Sequence, residues 1–329
     1  MDRHVTAISS PAKAVAAQRW DAIDVARGIA IAAMIVYHFS WDLSFLKLVA
    51  TDIVAVPAWR WFARAIAGSF LFLAGAGLVL AHVQGLRKEA FLRRLAKVGG
   101  AALLITAVTY VAFPESYIFF GILHCIALSS VLALPFLRLP APAVLASAAL
   151  CLTLSWILTD PSFDTPWLDW LGLGASDPVT NDYVPIFPWF GLVLAGVASA
   201  KAILPHAETL RLARWRAADR VSRLLAWAGR KSLPIYLLHQ IVLLGVLFGV
   251  LQLTGPSPLA EARPFIAECE ASCLAQNGQA GTCRALCSCV VDELRRTDIW
   301  RRVIDDLVEP EDRTRISRMA QQCLRRKEP

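Results

Sequence analysis

Long apolar stretches separated by short polar segments fill the first three quarters of the chain, and the last quarter is polar. Seven stretches approach or meet the roughly 20 residues a helix needs to cross about 30 Å of hydrocarbon. They lie at about 25–46, 59–82, 97–113, 118–137, 141–159, 186–204 and 233–253. The pattern predicts an all-α protein, a polytopic transmembrane helix bundle of about seven spans, followed by a small cysteine-rich helical domain over 254–329. Residues 1–18 read as a flexible N-terminal segment and 19–253 as the membrane domain.

Composition agrees with a chain solvated by lipid. Of 329 residues 57% are hydrophobic and only 18% charged, with a mean hydropathy of +0.52, too little polar surface to cover a water-soluble globule. Lys and Arg cluster at alternate ends of the stretches. Arg3, Lys13, Arg19 and Arg27 precede or open the first, Arg87, Lys88, Arg93, Arg94 and Lys97 lie between the second and third, and Arg138 follows the fourth. Lys201, Arg211, Arg214, Arg216, Arg220, Arg223, Arg230 and Lys231 precede the seventh, while the alternate loops are nearly bare: Lys47 in the first, none in 114–117 or 160–185, with Arg60 and Arg64 just inside the second stretch. Positively charged loops stay on the cytoplasmic side, so the N terminus is expected inside and the tail outside. The first stretch is too long, and lacks a small-residue cleavage site, for a removable signal peptide. The formal charge of +7 belongs to these loops, because the tail's acidic and basic residues balance. Topology therefore accounts for the basic segments, and nucleic acid is not indicated as a partner.

Six of the eight cysteines lie in the tail: Cys269, Cys273, Cys283, Cys287, Cys289 and Cys323. Cys125 and Cys151 fall inside apolar stretches, where lone cysteines behave as small hydrophobes. Each x3 pair in the tail places two thiols one helical turn apart, with Asn277-Gly278 as a turn signal between the pairs. A helical hairpin cross-linked by Cys269–Cys287 and Cys273–Cys283 fits this spacing and leaves Cys289 to reach Cys323. Six cysteines still allow fifteen connectivities. A disulfide-bonded tail agrees with the outside placement. A cytoplasmic zinc site is the competing reading, disfavoured by the x3 spacing and by a tail without histidine. Residues 290–329 read as amphipathic helix, with Trp300, Val303, Ile304 and Leu307 on one face and Ile316, Met319 and Leu324 continuing after Pro310. Such a domain suits a protein partner or a membrane surface.

Ionisable side chains at membrane depth are costly and become candidates for function. Asp24 and Arg27 are helix neighbours, either an interfacial anchor or part of a site. His38 and Asp42, at i and i+4, suit a general base with its orienting acid, or a pair that holds helices together. His124, in Phe120-Gly121-Ile122-Leu123-His124-Cys125, stands about 9 Å below the outer surface and His38 about 12 Å below it. His239 belongs to the inner half of its span, in a helix opened by Ser232 and Pro234. The loop 160–185 carries Asp160, Asp164, Asp169, Asp177 and Asp182 among Trp167, Trp170 and Tyr183, with Trp189 just beyond. Those aromatics fit an interfacial belt, and acids beside rings also suit a sugar or amine ligand. Small residues at Gly68-Ser69 and Ala74-Gly75-Ala76-Gly77 let helices approach closely. The spans hold no phosphate-binding glycine loop or helix-borne metal motif, and no metal is expected.

Several runs occur together in order: Asp24-Val25-Ala26-Arg27-Gly28, Tyr37-His38, Asp42-Leu43, Phe120-Gly121-Ile122-Leu123-His124, Asp182-Tyr183-Val184-Pro185, Phe187-Pro188-Trp189-Phe190-Gly191 and Ser232-Leu233-Pro234-Ile235-Tyr236-Leu237-Leu238-His239-Gln240. Over about residues 19–253 the chain resembles bacterial membrane proteins that share the catalytic domain of heparan-alpha-glucosaminide N-acetyltransferase. The resemblance implies transfer of an acetyl group from cytosolic acetyl-CoA to an extracytoplasmic acceptor, possibly a saccharide, with a membrane histidine as the central group. His38 is the preferred match for that histidine and His124 the second. It also implies a bacterial inner membrane as the location. The cysteine-rich tail lies outside the family's pattern.

Three function classes follow. In the first, an acyltransferase, Asp24, Arg27 and Arg230 hold the cofactor, His38, Asp42, His124 and His239 carry the chemistry, and Asp182, Tyr183 and Trp189 meet the acceptor. The second is a small-solute or proton-coupled transporter, less attractive without an evident inverted repeat. The third is a scaffold that displays the stapled tail.

Overall fold

A computed structural model describes residues 19–276 and 278–325; the expected flexible segment 1–18 and Asn277 lie outside them. The described residues are all-helical, as the hydropathy pattern predicts. Five helices are long and apolar enough to cross a membrane: α1 (Asp21–Phe45), α2 (Pro57–Ala81), α3 (Lys88–Ala112), the helix Ile186–Ile203 with its 3-10 extension to His206, and Ser232–Thr254. The fourth and fifth stretches give shorter helices. α4 (Ile122–Leu132) has 11 residues and α5 (Ala141–Ile157) has 17, about 16 and 26 Å of rise. Pro135 ends the first of these in a 3-10 turn, and Pro140 precedes the second. Both prolines lack the N–H that would carry an apolar run on as one helix. α6 (Ile186–Ile203), the short α7 (Arg211–Arg214), α8 (Arg220–Arg230) and α9 (Ser232–Thr254) complete the apolar part.

The Cα packing divides the chain into two units, one of Ala58–Ile241 with the residues up to Tyr37, the other of His38–Pro57 with Val242 onward. In the first unit the main core gathers Leu71 and Leu78 of α2, Val144 of α5 and Val193, Leu194 and Val197 of α6. Glycines set the approach of α2 and α6. A Cβ on Gly75 would strike the carbonyl of Val193, and one on Gly196 the carbonyl of Phe72, so these helices touch backbone to backbone. Without a hydrophobic drive between helices in lipid, such close van der Waals contact is what holds them. A smaller cluster buries Trp20 against Ala207 and Ala213 and anchors the entry to α1.

The second unit contains the tail helices α10 (Pro258–Ala275), α11 (Ala280–Leu294), α12 (Ile299–Ile304) and α13 (Pro310–Arg325). Three cysteine pairs stand at disulfide distance: Cys269–Cys287 (1.98 Å), Cys273–Cys283 (2.03 Å) and Cys289–Cys323 (1.96 Å). This is the pairing that the x3 spacing suggested. Val290, Leu294, Ile299 and Cys323 form the core, with Trp300, Val303, Ile316 and Met319 packed on it. Leu307 and Leu324, expected on the same apolar face, are exposed. Leu307 falls in the break at 305–309 between α12 and α13, and Leu324 stands to one side of the face through which Ile316, Met319 and Cys323 pack. Segment 46–52 joins this unit through Ser257 N–H donating to the Lys47 carbonyl at 2.8 Å and Arg263 within 3.7 Å of Asp52. Cys125 and Cys151 are unbonded, the first buried and the second half-buried.

Candidate active site

The first unit holds a cavity of about 680 Å³, within the range typical of small-molecule sites. One end is cationic. Arg19 and Arg27 reach it from the start of α1, Arg87, Arg93, Arg94 and Lys97 from the start of α3, and Arg230 from the end of α8. The other end is apolar, lined by Ile31, Phe70, Ile122, Leu123, Leu233 and Tyr236. A charged mouth with an apolar interior suits a ligand with anionic groups at one end and an uncharged arm at the other.

Asp24 organises the arginines. Its carboxylate is 1% exposed and accepts from Arg19 at 2.6 and 3.0 Å, with Arg27 at 3.5 Å and Arg230 at 3.9 Å. One buried carboxylate shared by three guanidiniums leaves a net positive surface and holds Arg side chains that would otherwise spread apart. The hydrogen bonds to Asp24 raise the Arg19 guanidinium further above its ordinary range, so it stays charged. Arg27 also donates to the Leu73 carbonyl at 3.3 Å, and Gly77 leaves the space its guanidinium occupies. The structure thus brings Asp24, Arg27 and Arg230 together. Arg19, Arg87, Arg93, Arg94, Lys97 and Tyr236 were not among the expected site residues. The spacing of Arg93, Arg94 and Lys97, which puts three cations within a turn and a half of helix, was the available signal, and their loop position assigned it to topology instead.

His124 closes the turn that starts α4. Its Nδ1 accepts from the Gly121 N–H at 3.2 Å, and its Nε2 lies 3.1 Å from Thr106 Oγ1, which itself donates to the Ile118 carbonyl at 2.7 Å. The Gly121 donor makes Nδ1 the acceptor, so the neutral ring carries its proton on Nε2 and gives it to Thr106. His239 is the opposite tautomer. Its Nδ1 lies 2.7 Å from the Tyr236 carbonyl, which can only accept, so in the neutral ring Nδ1 holds the proton and Nε2 is the unprotonated nitrogen. Tyr236 itself packs into three apolar clusters and forms part of the cavity wall.

Of the expected acceptor residues, Asp182 lies at the same turn. Asp182 Oδ2 accepts from the Ile122 N–H at 2.9 Å and caps α4, taking one of its orphan donors. Burial raises its carboxyl above the usual range and the Ile122 N–H draws it back. Tyr183 donates to the Asp169 carbonyl at 2.7 Å, its phenol pushed up to about 12 by burial and by Asp177, Asp169 and Asp164. Trp189 packs beside the main core. The loop clips to residues 116–120 through Asn181 N–H donating to the Ser116 carbonyl (2.9 Å) and Val184 N–H to that of Phe120 (3.2 Å). His38 and Asp42 sit one turn apart on α1 within the second unit, Asp42 fully buried. Among the described residues no group of three or more His, Cys, Asp or Glu is placed to hold a metal.

Neither the curated proteins nor the solved structures include a match to this chain. The family model described as heparan-alpha-glucosaminide N-acetyltransferase, catalytic, matches residues 19–241. That span contains Asp24, all seven cations of the cavity and the three histidines His38, His124 and His239. With two thirds of its length matched and an all-helical body rich in membrane-length helices, the chain belongs to the heparan-alpha-glucosaminide N-acetyltransferase catalytic family.

Proposed function

We propose that the chain is a transmembrane acetyltransferase that takes its acyl group from acetyl-CoA bound in the basic cavity and passes it to an amine or hydroxyl, such as that of a sugar, on the opposite side of the membrane. The observation that carries this reading is the cavity itself. Seven cations line it, three of them gathered by the buried Asp24, which suits a donor whose phosphates carry several negative charges, and arginine binds phosphate through paired N–H donors. The apolar end, floored by Leu123 and Tyr236, suits the uncharged pantetheine arm and its thioester. Loop charge supports a cytoplasmic cavity mouth, on the side where acetyl-CoA is made, and the tail's disulfide pairs support an extracytoplasmic tail.

In the transfer step the acceptor nitrogen or oxygen attacks the thioester carbonyl. The new C–N or C–O bond forms as the C–S bond breaks, a histidine takes the acceptor's proton, and that proton neutralises the departing thiolate. His38 is assigned the base role toward the acceptor because Asp42, one turn along, can orient its ring. His239, one helical turn beyond Tyr236 of the cavity wall, is assigned as the second proton acceptor. His124, with both ring nitrogens engaged, positions the turn between Gly121 and Asp182.

Binding of acetyl-CoA to purified protein in lipid nanodiscs, with transfer of labelled acetyl groups to amino sugars, tests the proposal. Affinity should fall steeply with salt and by more than tenfold in Arg93→Gln/Arg94→Gln/Lys97→Gln. Salt-independent binding, or full transfer by His38→Ala and His239→Ala alike, would overturn it.

A further inference from the structure

The segment 207–231 carries Arg211, Arg214, Arg216, Arg220, Arg223, Arg230 and Lys231 against only Glu208 and Asp219. Its helix α8 is 11 residues long, about 16 Å, too short to span a bilayer. Asp219 caps it, accepting from the Ser222 N–H at 2.9 Å. One side, Ser222, Ala226 and Gly229, is buried. There Gly229 meets the backbone of Asp24, and the main chain of Leu225 meets Gly28. On the opposite side Val221, Leu224 and Trp227 are 67%, 63% and 52% exposed, within about a third of the helix circumference, and Arg220 and Arg223 stand among and beside them. Leu212 and Trp215, just upstream in the chain, are exposed as well.

An apolar face turned outward and rimmed by arginines is costly in water. It fits the boundary between acyl chains and headgroups, where the apolar residues leave water and the guanidiniums meet phosphates. The chain's membrane-length helices put such a boundary within reach. We infer that α8 is an in-plane interfacial helix that binds anionic phospholipid headgroups through Arg220 and Arg223 and seats Val221, Leu224 and Trp227 among the upper acyl carbons. Its occupant is lipid, not protein. Because Gly229 and Arg230 end this helix in the wall of the basic cavity, its seating in the leaflet also fixes one side of that cavity.

The test uses the full chain in phosphatidylcholine nanodiscs doped with a small fraction of brominated phosphatidylglycerol or brominated phosphatidylcholine. The Trp227 contribution is the difference between wild-type and Trp227→Phe fluorescence. It should be quenched by bromine near the headgroup more than by bromine at the chain end, and resist aqueous iodide. Brominated phosphatidylglycerol should quench it several-fold more effectively than brominated phosphatidylcholine, and Arg220→Gln and Arg223→Gln should each cut that preference about fivefold, the effect of one basic residue at an anionic surface. Equal quenching by the two lipids would overturn the proposal, as would quenching by iodide alone. Shielding from both iodide and bromolipid would mean that another protein segment covers the face, and would overturn it as well.

Discussion

Gly229 lies against the main-chain carbonyl of Asp24, with no space for a Cβ between them. The contact sets Arg230, the next residue, 3.9 Å from the Asp24 carboxylate, so backbone packing and the electrostatics of the cavity are one arrangement. Alanine at 229 should gain up to about 1 kcal/mol of helix propensity but lose about 1–3 kcal/mol to overpacking. The net expectation is a lower melting temperature for Gly229→Ala, with acetyl-CoA affinity weakened about tenfold. A melting temperature at or above wild type would show that the two backbones separate freely.

Asp24 is the buried carboxylate behind the cavity, within 3.9 Å of Arg19, Arg27 and Arg230. Asp24→Asn keeps the shape and removes the charge. Hydrogen bonds to charged groups contribute about 1.5–3 kcal/mol, and Arg19 and Arg230 are partly solvated, which lowers their share. A loss of about 2 kcal/mol is expected in thermal unfolding of the purified protein. Neutral substitution without any shift would make the carboxylate dispensable to the fold.

The two tautomers separate the roles of His124 and His239. His124→Ala should cost about 1–2 kcal/mol, the scale of a lost helix cap, and Thr106→Val should reproduce part of it. The double variant should lose less than the sum, because one hydrogen bond is removed twice. His239→Ala should instead reduce acetyl transfer at least a hundredfold, the usual scale of a lost acid–base group. Strict additivity of the 106 and 124 effects would break the proposed Nε2–H···Oγ1 link.

In the tail, Arg302 donates to both oxygens of Asp312 at 2.8 Å and to Asp298 at 3.0 Å, and these bonds hold both carboxyls below their usual range. A depressed acid adds stability above its unfolded pKa and loses it as pH falls through the folded value. Protease resistance of the tail should therefore be flat above about pH 4 and fall below it. Arg302→Gln should be less resistant at neutral pH and lose most of the acid-dependent decrease. An unchanged acid profile in that variant would remove this cluster as its source.

Much of the fold was legible because the signals are local. A stretch of about 20 mostly apolar residues makes a membrane-length helix whatever its neighbours do, and Cys269, Cys273, Cys283 and Cys287 declare a hairpin through spacing alone. Hydropathy failed where backbone chemistry overrode it. The stretch 118–137 carries no Asp, Glu, Lys or Arg, yet Gly121, His124 and Pro135 confine its helix to 11 residues.

The sequence by itself determined the lipid-solvated helical body, the stapled tail and the adjacency of Asp24 and Arg27, since each depends on residues within a few turns of one another. Only the tertiary structure decided that Arg19, Arg27, Arg87, Arg93, Arg94, Lys97 and Arg230 share one cavity, and which nitrogen of His124 or His239 holds the proton. The first depends on helices meeting at Gly28 and Gly229, far apart in the chain. The second depends on whether the group facing each ring donates or accepts, and a residue's own identity carries no record of its neighbour.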